Sequence, residues 1–184
     1  MGLQRLRRWL CLAWALGLGL TGAVWAGQAS RPVPTFKDYP VRVEADAAKG
    51  GRPPKVILAT AQARHYRSAI RSEAGEPANF AGHFRVITWG CGTDCHGFAI
   101  LDRQTGVAYT PPGIDYVAGV MGNDEERVEH YLDSRLLVLN GQINDNEKLE
   151  AKHLYLWDGH QLKLLRRTHL FKEEIDTSCT TCGK

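Results

Sequence analysis

The side chains best able to do chemistry crowd into one stretch, Asn79 to Phe98, which holds His83, Cys91, Asp94, Cys95 and His96. A second pair lies far downstream in Cys179-Thr-Thr-Cys182. Three reactive arrangements can be written with these residues. A thiolate nucleophile needs a histidine base within hydrogen-bond reach, and Cys95 with the downstream His153 supplies both types. Four thiolates from Cys91, Cys95, Cys179 and Cys182 can converge tetrahedrally on zinc, with His83 and His96 as further ligands. Thiol exchange through Cys179 and Cys182 needs the first cysteine at a helix start, where the dipole stabilises a thiolate. Only Gly183 and Lys184 follow Cys182, so no helix is expected there. The alternative to all three is structural. An even set of four cysteines in an oxidising compartment reads as two disulfides. Sequence leaves three pairings open; the two local pairs, Cys91–Cys95 and Cys179–Cys182, are expected because each lies within reach of its neighbour.

Two resemblances bear on the choice. Asp94-Cys95-His96-Gly97-Phe98 resembles the Asp-Cys-Ser-Gly segment of papain-like cell-wall endopeptidases, which implies Cys95 as nucleophile. This chain departs from that pattern: His96 replaces the serine, Phe98 to Asp102 reads as a strand where those enzymes open a helix, and Cys91 is a ready disulfide partner. The second resemblance covers more of the chain. Asn79-Phe-Ala-Gly-His83, Trp89-Gly-Cys-Gly-Thr-Asp-Cys95 and Asp102-Arg-Gln-Thr-Gly106 together resemble a family of small secreted bacterial proteins of unassigned function. That likeness runs from the helix near Thr60 to Trp157-Asp158-Gly159 and implies a shared fold and export, with no activity attached. Cys179 and Cys182 fall outside it.

The elements that position these residues follow from periodicity. Thr60 can cap a helix over Ala61 to Ala74, which Pro77 prevents from continuing. Ala59, Ala63, Tyr66 and Ile70 form its apolar stripe, and Arg64, Arg67 and Arg71 a solvated basic one. From Phe80 the period becomes that of strands: Phe84–Trp89, Phe98–Asp102, Val107–Thr110, Arg135–Asn140, His153–Trp157 and Gln161–Arg166, with His169–Lys172 weaker. Asp102 to Gly106 and Trp157 to His160 read as hairpin turns. Tyr39 to Glu44 alternates as a short strand, and the acidic stretch Gly122 to Asp133 reads as a short helix or a long loop. The expected fold class is α+β: one N-terminal helix packed on an antiparallel β meander, in a single domain.

Arg5, Arg7 and Arg8 precede an uncharged run from Trp9 to Ala26, with Val24-Trp25-Ala26 at its end. This is the three-part pattern of a secretory signal, with cleavage expected after Ala26. The expected organisation is a signal peptide over 1–26, an extended lead-in over 27–54, an α+β domain over 55–175 and a tail over 176–184. The whole chain has 23 Lys and Arg against 20 Asp and Glu; the signal holds three arginines and no acid, so the mature part is neutral. Without a basic excess there is no drive to bind nucleic acid or an anionic membrane. No phosphate-cradling Gly-rich loop, Gly-x-Ser-x-Gly elbow or His-Glu-x-x-His occurs, so no cofactor and no catalytic residue is expected. The reading is a periplasmic or secreted protein with no stable membrane anchor after cleavage. It acts as a non-catalytic binding or inhibitory module for an unknown envelope protein or ligand, through a stapled loop presenting Thr93, Asp94 and His96. A papain-like hydrolase using Cys95 and a zinc-binding envelope protein are the alternatives.

Overall fold

Strand-forming alternation dominates after Phe80, and the computed structural model, which describes residues 32–47, 49–51 and 55–171, is accordingly a mixed α/β fold built mostly of strands. The expected signal peptide, residues 27–31, 48 and 52–54 of the lead-in, Cys179 and Cys182 lie outside the described residues. Among the described residues nine strands form one sheet in which antiparallel pairing dominates: β1 (Ile57–Leu58), β2 (Phe84–Gly92), β3 (Cys95–Asp102), β4 (Val107–Tyr109), β5 (Val117–Ala118), β6 (Val128–His130), β7 (Leu136–Ile143), β8 (Glu150–Trp157) and β9 (Leu162–Thr168). The order is β1-β4-β3-β5-β7-β8-β9, with β2 added to β3 and β6 to β7. Two runs of consecutive strands, β2–β3–β4 and β7–β8–β9, follow one another as antiparallel meanders. β3 skips β4 over part of its length to pair with β5, and β1 lies parallel to β4.

The expected single helix is two, α1 (Ala61–His65) and α2 (Arg67–Glu73). Thr60 caps α1, its hydroxyl accepting the Ala63 N–H at 3.0 Å. The break falls at Tyr66, whose ring stacks on Trp89 with centroids 4.3 Å apart. Ala63, Ile70 and Ala74 pack on Ile87, Trp89, Ala99, Leu101 and Ala108. The opposite side chains of β2 and β3, Phe84, Val86, Phe98 and Ile100, join Leu137, Leu139 and Trp157 in the larger core. β3 is therefore covered on both faces, which is why Phe98 to Leu101 reads as an unbroken apolar run.

Tyr39 to Glu44 makes no strand beyond an isolated bridge between Pro40 and Ser134, since proline has no N–H to continue a ladder. The segment is nevertheless tied down. Arg135 N–H donates to the Tyr39 carbonyl at 2.9 Å, Val41 N–H to the Asp133 carbonyl at 2.9 Å and Ser134 Oγ to the Phe36 carbonyl at 2.8 Å. Phe36 and Tyr39 then cover Leu136, Val138 and Leu154 on the outer face of the sheet. Where a helix or loop is expected within Gly122 to Asp133, Val128–His130 forms β6; of the expected strand His169–Lys172, His169 to Phe171 add nothing to β9 and Lys172 lies outside the described residues.

Two histidines are held neutral by this packing. His153 is fully buried and its Nε2–H donates to the Leu149 carbonyl at 2.9 Å. Burial pushes the pKa values of His130 and His153 below the ordinary imidazole range. The unfolded chain takes up these protons from about pH 6.5 downward, while the folded chain resists until its lower pKa values. Their contribution is thus complete above about pH 6.5 and lost as pH falls below it. The melting temperature is expected to drop between pH 7 and pH 5, and the drop to shrink in His153→Gln. An equal drop in that variant would remove His153 from the explanation.

Candidate functional site

The stapled turn is the tip of a long hairpin. β2 and β3 pair from Phe84↔Asp102 to Gly90↔His96, and then Gly92 faces Cys95, with Cys91 taken up as a bulge. The Cys91 and Cys95 sulfurs sit at disulfide distance, with Cα atoms 5.1 Å apart, inside the range a bridge requires. Asp94 turns the chain at φ +49°, a conformation aspartate tolerates better than most residues.

Asp94 does not simply project. Its carbonyl accepts the Gly119 N–H at 2.7 Å, and its Oδ1 lies 3.4 Å from Arg127 Nε. The carboxyl group rests so close on Gly119 that a β-carbon there would displace it. Arg127 is 5% exposed, although it carries a permanent charge. It is satisfied by a fork of contacts: Nη1 donates to the Asn140 carbonyl at 2.9 Å, and Nη2 to the Asn123 carbonyl at 2.6 Å and to Asn123 Oδ1 at 3.1 Å. Asn140, fully buried on β7, returns the link through Nδ2 to the Glu126 carbonyl at 2.7 Å. The hairpin tip is thereby anchored to the 119–127 segment and through it to the centre of the sheet.

Beside the tip is an open cleft of about 350 Å³, lined by Asp94, His96 and residues 123–127. Its charge is mostly negative, from Asp94, Asp124, Glu125 and Glu126, around the single buried guanidinium. Glu125 is engaged by Lys152 Nζ at 2.8 Å. Of the three loop residues singled out in the sequence, Asp94 and His96 meet at this cleft, whereas Thr93 is exposed at the tip and does not line it. Arg127, Asn123 and Asn140 escaped sequence reasoning. The available signal was an arginine closing the acidic run Asp124-Glu125-Glu126.

The residues of a cysteine hydrolase are kept apart. Cys95 pairs with Ala118 on β5, β5 pairs with β7, and His153 lies beyond it on β8, opposite Leu139. His83 orders the base of the hairpin: its Nδ1 lies 3.1 Å from Glu44 Oε1 and its Nε2 3.7 Å from Asp102 Oδ1. Among the described residues no group of three or more His, Cys, Asp or Glu is placed to hold a metal ion. A second recess, of about 280 Å³ and largely apolar, lies at the other end of the hairpin between Phe84, Tyr109 and Trp157. No family model, curated protein or solved structure matches the chain.

Proposed function

We propose that the chain is an exported, non-catalytic binding or inhibitory module of the bacterial envelope, whose contact surface is the hairpin tip with its acidic cleft. The observation that carries this reading is the tip's combination of exposure and fixation. Thr93 and Asp94 face solvent, yet the Cys91–Cys95 pair, the Gly119 N–H and Arg127 hold the turn in one shape. A loop already ordered before it meets a partner loses little entropy on binding, and rigid scaffolds carrying such loops are common recognition devices. The carboxylates around the cleft favour a partner that brings basic groups. Export and a periplasmic or secreted location belong to the same proposal, in keeping with the resemblance to small secreted bacterial proteins.

The staple is the place to test it. A bridge closing so few residues removes little chain entropy from the unfolded state, about 2 kcal/mol before any strain. The Cys91→Ser/Cys95→Ser variant is therefore expected to fold, with a melting temperature lowered by roughly several degrees. It should capture less of the partner than the mature wild type does when both are used as bait on the envelope fraction. His96→Ala should weaken capture with little effect on stability. Undiminished capture by the double-serine variant would move the contact surface elsewhere, with the stripe of Arg64, Arg67 and Arg71 as the next surface to test.

A further inference from the structure

Among the described residues, the outer edge of β2 is occupied along only half its length. Phe84 N–H donates outward to the Phe80 carbonyl at 2.9 Å, and the Phe84 carbonyl accepts the N–H groups of Asn79 and Phe80 at 3.1 and 3.0 Å. The side-chain amide of Asn79 fills the next outward position. Val86 N–H donates to its Oδ1 at 2.7 Å, and its Nδ2 donates to the Val86 carbonyl at 3.0 Å. Outward and inward peptide groups alternate along a strand, so the next two outward positions belong to Thr88 and Gly90. No hydrogen bond from the described residues reaches them. Both are exposed, and a β-carbon at Gly90 would meet nothing within 4 Å. Lysine and proline, the residues that usually blunt a free edge, are absent from Thr88-Trp-Gly-Cys-Gly92.

We infer that this open edge receives an extended segment of a partner polypeptide, which adds to β2 as a further strand at Thr88 and Gly90. The occupant is argued from what already sits on the same edge: Asn79 and Phe80 meet Phe84 and Val86 with peptide-like groups, and a partner's backbone continues that row. Thr88, Gly90 and Gly92 present no bulky side chain on the way in. The inference rests on the hairpin tip being the contact surface, and it names how a partner engages it.

Gly90→Pro isolates the point. It deletes the outward N–H, leaves the ladder with β3 intact because that ladder uses Trp89, and puts the ring into open space. The probes are linear dodecapeptides selected from a random displayed library on the oxidised mature protein. Those peptides are expected to bind Gly90→Pro about tenfold more weakly than wild type, at unchanged melting temperature. In free wild type, the amides of Thr88 and Gly90 should exchange fast and that of Val86 slowly; bound peptide should slow the first two. Failure to select any peptide, or equal affinity for Gly90→Pro, overturns the inference. So does slow exchange at Thr88 and Gly90 in the free protein: at all concentrations it means the chain covers its own edge, and only at high concentration, with dimers in sedimentation, it means a second copy does. If envelope capture is lost in Cys91→Ser/Cys95→Ser and kept in Gly90→Pro, strand addition fails while the tip remains the contact surface.

Discussion

Replacing Arg127 by methionine is expected to destabilise the protein by about 3 kcal/mol or more, which for a chain of this size lowers the melting temperature by roughly 10 °C. Methionine fills much of the space but donates nothing. The Asn140 and Asn123 carbonyls would then lose the Arg127 donors that satisfy them at the buried floor of the cleft, while Asn123 Oδ1 keeps the Glu125 N–H at 3.1 Å. Unmet buried acceptors, rather than a lost ion pair, dominate the effect. Asp94 provides the contrast. Its side chain is 51% exposed, so Asp94→Asn should cost no more than about 1 kcal/mol. Arg127→Lys tests the geometry, since one ammonium cannot reach three acceptors arranged for a planar fork. It should recover less than half of the loss. Denaturant unfolding measures all three variants, and a lysine variant as stable as wild type would show that charge alone matters.

Gly141→Ala should cost as much, for a reason confined to backbone geometry. Gly141 sits on β7 at φ +143°, and a β-carbon there would run into the carbonyl oxygen of Ala118, with Val117 Cγ1 3.2 Å away. Val117 and Ala118 are all of β5, the strand that joins β3 to β7. The added methyl can be accommodated only by pushing that strand off, so about 3 kcal/mol or more is expected. Gly159→Ala separates strain from collision. Gly159 also has positive φ, +101°, but open space where the β-carbon would go, and about 1 kcal/mol is expected. Similar losses in the two variants, compared by chemical denaturation, would mean that β5 yields without cost.

What could be read in advance divides along a physical line. β2, β8 and β9 carry enough alternating residues, and β3 and β7 long enough apolar runs, to declare themselves, and their centres were legible even where their ends were not. β5 and β6 are short strands, made by the neighbours that hold them rather than by their own composition. The helix was legible from the Thr60 cap and its apolar stripe, but the interruption at Tyr66 coincides with a stack on Trp89, which lies beyond any local window. At the candidate site, the cysteine spacing announced a constrained turn. It did not announce that Asp94 folds back, because the responsible partners are a glycine N–H at 119 and an arginine at 127. Arg127 in turn is held by backbone carbonyls, which every residue possesses and no sequence pattern marks.

The lead-in has a consequence for the order in which the chain matures. Phe36, Tyr39 and Val41 are synthesised early, yet the groups that fasten them, Asp133, Ser134 and Arg135, emerge more than ninety residues later. Until then the lead-in has nothing to close upon, because the apolar face that it covers, made by Leu136, Val138 and Leu154, has not yet been made. The β7–β8–β9 meander can form from local contacts alone, whereas the long loop back to the lead-in must wait. A piece made early is therefore secured late, as a latch over strands that follow it by more than ninety residues.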